Sequence, residues 1–388
     1  MQRRQRVVTF GAPRIEEDEI REVVSTLRSG WISKGPRTRE FELAFRKYQG
    51  TKHAIAVNSC TAGLHLALIA AGIRKGDEVI TTPLTFAATA NVIVHVGAKP
   101  IFADVERRTM NLDPKEVERK MTRRTRAIIP VHLAGRPCEM DEVLALAKKH
   151  KLIVISDCAH AIEAIYHGRK VGSLGDIAAF SFYATKNLTT GEGGMVTTNR
   201  SGFAKTIQID SLHGLSQGAW QRYSMRRLKD YRVLRPGFKY NMMDIQAAMG
   251  LRQLNKIERY LKIRERIWKA YDQAFRSFPV ILPLAPEPKT RHGRHLYTLL
   301  LDLERLRIGR DHVRDRLLKM GIGTGVHFVA LHLHPFYRRA FGYRRGDFPN
   351  AEWISERTLS LPLSAKLSSE DVRRVIGAVK KVFQNGTR

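Results

Sequence analysis

From Ala54 to Phe182 the chain alternates short apolar runs with helical stretches, and that alternation leaves few folds open. Runs of strand length occur at Ala54–Val57, Glu78–Thr81, Lys99–Ala103, Ala127–Val131, Leu152–Ser156 and Ala178–Phe182. Helical stretches fit between several of them, at Ala62–Ala71, Thr85–Val96, Pro114–Lys120 and Met140–His150. Such alternation predicts a mostly parallel sheet covered on both faces. Upstream, Glu16–Ser29 reads as an amphipathic helix with Ile20, Val23, Val24 and Leu27 on one stripe, stopped by Gly30. A second helix runs through Phe41, Ala44, Phe45 and Tyr48.

After Ser211 the pattern changes. Residues 211–237 are rich in Gly, Arg, Lys and Tyr with weak periodicity, and read as a long loop suited to cover a pocket. Asp244–Tyr271 reads as a long helix and Pro283–Arg294 as a proline-rich connector. Beyond His295, a strand at Leu296–Leu303, a helix at Arg310–Met320, a strand at Thr324–Leu333 and a helix at Ser369–Phe383 predict a smaller α+β lobe. The expected division is a large domain over 1–255, with an N-terminal arm and helices, and a small one over 256–388.

Three cysteines, Cys60, Cys138 and Cys158, are too few and too irregularly spaced for a disulfide scaffold, and point to the cytoplasm. No apolar stretch reads as a membrane span. The formal net charge of +30 raises nucleic acid as a partner. The basic residues, however, are scattered in pairs such as Arg107-Arg108, Arg123-Arg124 and Arg344-Arg345, without a nucleic-acid-binding motif. They read as a solvated surface that would also attract a polyanionic small substrate.

Four features carry chemistry. Asn58-Ser59-Cys60-Thr61-Ala62-Gly63 is a small-residue turn between a strand and a helix, where unpaired N–H groups favour an anion. Taken alone, an ordinary N-cap by Asn58, Ser59 or Thr61 explains it better. Phe86 follows a strand end and would stack on a flat ring, or simply fill the core. Asp157 ends an apolar strand and would hold a pyridinium N–H; the alternative is a helix cap. His160 would contact the same ring or its phenolic oxygen, or merely pack. Lys186 lies in Ser181–Gly194, between an apolar run and a glycine-rich turn. Desolvation there would lower its pKa and make it a nucleophile, against the alternative of a solvated loop lysine. Individually these signals are weak. Spread over strand ends of one sheet, they converge on a single crevice and suit pyridoxal 5′-phosphate (PLP). His332 and His334 lack a third ligand, so no metal is expected.

The chain also resembles the DegT/DnrJ/EryC1/StrS family of aminotransferases, from about Gly11 to Val382. Gly30–Pro36, Asn58–Gly63, Asp157–Ala161, Ser181–Gly194, Lys239–Asn241, Gly321–Phe328 and Ser360–Leu363 carry the likeness. Within the family it resembles most the branch of UDP-4-amino-4-deoxy-L-arabinose–oxoglutarate aminotransferase-like enzymes. The resemblance implies the type I PLP fold, aspartate-aminotransferase-like, and a homodimer with shared active sites. It implies that Lys186 carries PLP as a Schiff base and that Asp157 pairs with the pyridine nitrogen. Phe86 and His160 would meet the ring, and Cys60, Thr61 and Ser181 the phosphate. Asn241, or Lys239 near it, would reach the phosphate in the neighbouring subunit. Trp31, Ile32, Ser33 and His327 would border a nucleotide-sugar pocket. The implied reaction moves an amino group from L-glutamate or L-glutamine to a keto sugar on a nucleotide, at C4. A keto-cyclitol substrate, a PLP-bound regulator, and a polyanion-binding protein that keeps the fold are the rival readings.

Overall fold

The computed structural model describes residues 7–216 and 231–384. Its centre is a seven-stranded sheet: β1 (His53–Val57), β2 (Glu78–Thr81), β3 (Lys99–Phe102), β4 (Thr125–Ile129), β5 (Ile153–Asp157), β8 (Ile177–Ser181) and β9 (Gly194–Thr198). A short ribbon, β6 (Ile165–Tyr166) with β7 (Arg169–Lys170), stands between β5 and β8 in sequence. The strand order is β1-β9-β8-β5-β4-β2-β3, and β9 runs antiparallel to both neighbours. The other pairings are parallel, as the alternating pattern predicts. These strands are apolar almost throughout because helices cover both faces.

Helices α1 (Glu17–Arg28), α2 (Pro36–Gln49), α3 (Cys60–Ala70), α4 (Ala87–His95), α5 (Pro114–Lys120), α6 (Met140–His150) and α7 (Ser201–Asp210) surround this sheet. Helix α8 (Asp244–Phe275) connects the lobes. Its Ala247, Leu254 and Ile257 join the core around Phe41, Phe45, Phe180 and Phe182. Its Ile267, Trp268, Tyr271 and Phe275 join a second core with Tyr297, Leu359 and Phe383. The second core lies on a small antiparallel sheet of β10 (Val280–Ile281), β11 (Tyr297–Leu301) and β12 (Thr358–Leu361). Helices α9 (Arg310–Lys319), α10 (Pro335–Phe341), α11 (Pro349–Arg357) and α12 (Ser369–Gln384) complete the chain. No helix among the described residues is long and apolar enough to cross a membrane.

Four expectations are corrected. Thr324–Leu333 is not a strand: its backbone makes one isolated bridge to the small sheet, Gly325 opposite Ser360, and the segment ends in a short 3-10 turn. The third strand of that sheet is Thr358–Leu361 instead. Strand β9 was not expected, because four strand-forming residues follow directly on glycines. Val8 packs in the C-terminal core and pairs with Ile322, so the start of the described chain belongs with the small lobe rather than the large one. Helix α1 is inverted: Glu19, Glu22 and Thr26 are buried, while Ile20 and Leu27 are about half exposed.

The inversion has an electrostatic cause. Helix α1 packs against α8, which presents Arg252, Gln253, Lys256 and Arg259. Glu19 meets Gln253 at 2.7 Å and Lys256 at 2.7 Å. Glu22 pairs with Arg252 and, at 2.7 Å, with Arg37. Buried carboxylates are tolerable only when paired and hydrogen-bonded, as these are. The apolar stripe is therefore left facing outward.

Of the expected loop 211–237, residues 217–230 lie outside the described residues. Its two stems pair: the Ser216 N–H donates to Arg232 O at 3.0 Å and the Leu234 N–H to Gly214 O at 2.9 Å.

Candidate active site

A cavity of about 680 Å³ opens at the carboxyl ends of the parallel strands. Cys60, Thr61, Phe86, Asp157, His160, Ser181, Lys186 and His327 all line it. Eight residues singled out from sequence, from five segments of chain, thus share one space. Trp31, Ile32 and Ser33 do not: they form an exposed turn between α1 and α2. Asn241 is also absent from the lining; it is buried, pairs with Val57, and its side-chain carbonyl has no partner among the described residues.

One end of the cavity is the N-terminus of α3. Ser59 is the cap, accepting the Ala62 N–H at 3.1 Å, and the Gly63 N–H bonds Ser59 O at 3.1 Å. No described residue accepts the N–H groups of Cys60 or Thr61, so the helix end presents donors to an anion. Strand β9 makes this possible by approaching closely. A Cβ on Gly194 would sit 2.5 Å from Ser59 C and 2.7 Å from Cys60 N, so only glycine fits there. The Ser181 hydroxyl, at the end of neighbouring β8, accepts the Tyr183 N–H at 3.3 Å.

Asp157 ends β5, and it is no helix cap. One carboxylate oxygen accepts the Thr89 hydroxyl at 2.8 Å and the other the Ala159 N–H at 3.0 Å. Thr89 is held in turn by Thr85 at 2.9 Å. Burial raises the Asp157 pKa, against these hydrogen bonds and the charge of Lys186. The carboxylate is short of positive charge, and a protonated ring nitrogen would supply what it lacks.

Lys186 follows the turn after β8, its N–H bonded to Tyr183 O at 2.9 Å. Gly191, with φ of +79°, lets the chain turn back into β9, and the Thr190 N–H bonds Phe182 O at 2.9 Å. Burial lowers the lysine pKa to about 8, although Asp157 and Cys60 pull the other way. Lys186 is half-buried in the cavity wall, not extended into solvent. Phe86, 64% exposed at the start of α4, is not core; it lines the cavity.

His160 lies across from Lys186. Its Nδ1 accepts the Ala134 N–H at 3.2 Å, so its proton sits on Nε2. Burial, with the charge of Lys186, holds it neutral, well below the usual histidine range. His327 falls to about 4 for the same two causes and bonds the Ser360 hydroxyl at 2.9 Å. His295 also lines the cavity and was not picked from sequence, since it lies in the irregular segment before β11 with no acid or hydroxyl motif to mark it. His332 is buried against Glu352 at 2.9 Å, and no group of metal-binding residues occurs among the described residues.

Helix-end donors, a serine hydroxyl, an exposed aromatic ring, an unmatched carboxylate and a partly neutral amine together fit PLP. The sequence matches the family model described as the DegT/DnrJ/EryC1/StrS aminotransferase family over residues 13–380. The chain belongs to that family. The spore coat polysaccharide biosynthesis protein SpsC of Bacillus subtilis is 48% identical over 385 residues, covering 99% of both chains. Among solved structures, Spr1654 from Streptococcus pneumoniae superposes in its PMP form with a TM-score of 0.92 at 34% identity, covering 97% of this chain and 99% of that one. Its PLP form gives 0.91. Helicobacter pylori PseC, an aminotransferase of pseudoaminic acid biosynthesis, gives 0.91 at 31% identity, covering 98% and 100%. This family member is therefore a PLP-dependent aminotransferase with the type I fold, and PLP is its cofactor.

Proposed function

We propose that this enzyme transfers an amino group from L-glutamate or L-glutamine to a keto sugar carried on a nucleotide, at C4 of the sugar. The carrying observation is the cavity, which joins Lys186, Asp157 and the α3 N-terminus with room beyond them. The likeness to SpsC and PseC, both tied by name to carbohydrate products, supports a sugar as acceptor.

PLP supplies an electron sink that stabilises negative charge on the carbon bearing the amino group. In this reading Lys186 holds the cofactor and, once displaced, its Nζ moves a proton to and from that carbon. A pKa near 8 leaves enough free amine at neutral pH for the role of base. Asp157 holds the ring nitrogen protonated, and Thr89 and the Ala159 N–H fix the carboxylate in place. The N–H groups of Cys60 and Thr61, with Ser181, bind the phosphate, and Phe86 stacks on the ring. His160, locked as the Nε2–H tautomer, donates to the phenolic oxygen.

The homodimer belongs to the same proposal. Its support is the outward stripe of Ile20, Val24 and Leu27, continued by exposed Trp31 and Ile32. A second copy would cover this stripe and bring Trp31, Ile32, Ser33 and Asn241 toward the neighbouring site. Three buried free thiols suit a cytoplasmic setting.

The test is incubation of the PLP-loaded enzyme with L-glutamate and a panel of UDP-linked 4-keto sugars and keto-cyclitols, followed by mass analysis. An aminated nucleotide sugar is expected. Amination of cyclitols alone would overturn the substrate, and no amination of any kind would overturn the reaction.

A further inference from the structure

A chain of buried polar groups behind Lys186 has no part in the reaction above. Asn187, the next residue, donates from its amide nitrogen to Glu163 at 2.8 Å and to Gly293 O at 2.9 Å. Both partners only accept, so the amide orientation is fixed by chemistry. The amide oxygen of Asn187 therefore points the other way, to His295 Nδ1 at 3.0 Å. An amide oxygen only accepts, so Nδ1 of His295 must carry its proton. Nε2 is then a bare lone pair.

The arrangement is anchored at its far end. Glu163 is fully buried and pairs with Arg264 of α8, whose guanidinium also donates to Arg294 O at 3.0 Å. Arg291 donates twice to Glu163 O, at 3.0 and 2.8 Å. Breaking such a buried pair is costly, so the orientation of Asn187 is enforced from outside the cavity. Burial, and then the charges of Lys186 and Arg264, keep His295 neutral, well below the usual histidine range.

His295 lines the cavity, and its ring lies 4.6 Å from that of His160, centroid to centroid. Its Nε2 has no partner among the described residues and is not among their fully enclosed unpaired atoms. The two neighbouring imidazoles thus offer opposite functions: an N–H from His160 and a lone pair from His295. A carboxylate cannot satisfy that lone pair, because it too only accepts. A sugar hydroxyl can.

We propose that His295, its tautomer set by Asn187 and the buried Glu163–Arg264 pair, is a specificity residue that accepts a hydrogen bond from a hydroxyl of the keto sugar. This assignment rests on the sugar reading of the same site. Asn187, Glu163 and Arg264 are positioning residues, acting through His295.

Two measurements test it. In PLP-loaded enzyme carrying 15N-labelled histidine, the imidazole shifts report which ring nitrogen is protonated, the His295 signals being those lost in His295→Gln. A protonated Nδ1 is expected, with a mixture of tautomers in Asn187→Ala; a protonated Nε2 in the wild type overturns the proposal. Steady-state kinetics with a UDP-linked 4-keto-hexose then separates the two ring nitrogens. A glutamine carbonyl reaches the place of Nε2, whereas an asparagine amide reaches only that of Nδ1. His295→Asn should raise KM for the sugar about tenfold, a hydrogen bond's worth, with smaller effects on kcat and on KM for L-glutamate. His295→Gln should restore most of the loss. Retention of the lysine-bound PLP absorbance in both variants certifies the fold. Equal KM values for His295→Asn and wild type, or a change confined to kcat, would overturn the assignment. If the wild type does not aminate the sugar at all, the sugar reading fails, and the tautomer alone then decides whether His295 is set as described.

Discussion

The crevice at the strand ends and the seam between α1 and α8 both bury charge, but only the seam matches it. In the seam, Glu19 and Glu22 each meet cations or amides from α8 and α2. In the crevice, Asp157 faces hydroxyl and N–H donors with Lys186 as the cation acting on it, and burial drives both groups toward their neutral forms. Matched charge holds two helices in register. Unmatched charge stands ready for a ligand that completes it.

The contrast is broken most severely at Asp157. Asp157→Asn should retain PLP yet lose turnover about a thousandfold, because an amide does not hold a pyridinium proton. Steady-state assay beside the PLP absorbance reads both; an unchanged rate would mean another group tunes the ring. Next comes the seam. Glu22→Ala leaves Arg252 without its partner and should cost about 2 kcal/mol in urea unfolding, with kcat nearly intact. A loss of kcat without a loss of stability would reverse the roles of the two regions.

A smaller effect follows from pH. With the Lys186 pKa near 8, the rate at which cofactor-free enzyme captures PLP should rise about tenfold per pH unit up to pH 8 and then level off. Stopped-flow absorbance follows it, and an inflection above pH 10 would mean that the amine is solvated. The stability sign agrees: a folded pKa below the unfolded 10.5 means that the unfolded chain binds more protons between pH 8 and 10.5, so this group's contribution rises with pH there. The smallest effect is on the outer face of α1. Ile20→Ser should change subunit stability by no more than about 0.5 kcal/mol, while weakening the dimer in sedimentation. A large loss of subunit stability would mean that the stripe faces the chain's own core.

Much of the crevice was legible because strand-end chemistry is local. Asp157 and Lys186 each follow an apolar run, and the alternation of strands and helices places such ends together. The same reasoning inverted α1. Its periodicity gave an apolar stripe, but not the identity of the neighbour that the Glu19 and Glu22 side would meet. The missing signal lay about 230 residues downstream, where Arg252, Lys256 and Arg259 repeat at helical spacing. Thr324–Leu333 misled for a related reason: its apolar residues line the cavity with Val326, His327 and Phe328 instead of pairing in a sheet. His295 escaped because its importance comes from Asn187 and Glu163, which are close only in space.

Everything proposed for the crevice depends on Lys186 as the residue that holds PLP. Borohydride reduction of the PLP-loaded enzyme, followed by proteolysis and peptide mass analysis, tests it most directly. A single stoichiometric pyridoxyl phosphate adduct is expected on Lys186, and none in Lys186→Ala. Stoichiometric labelling of another lysine, with Lys186 unmodified, would contradict it.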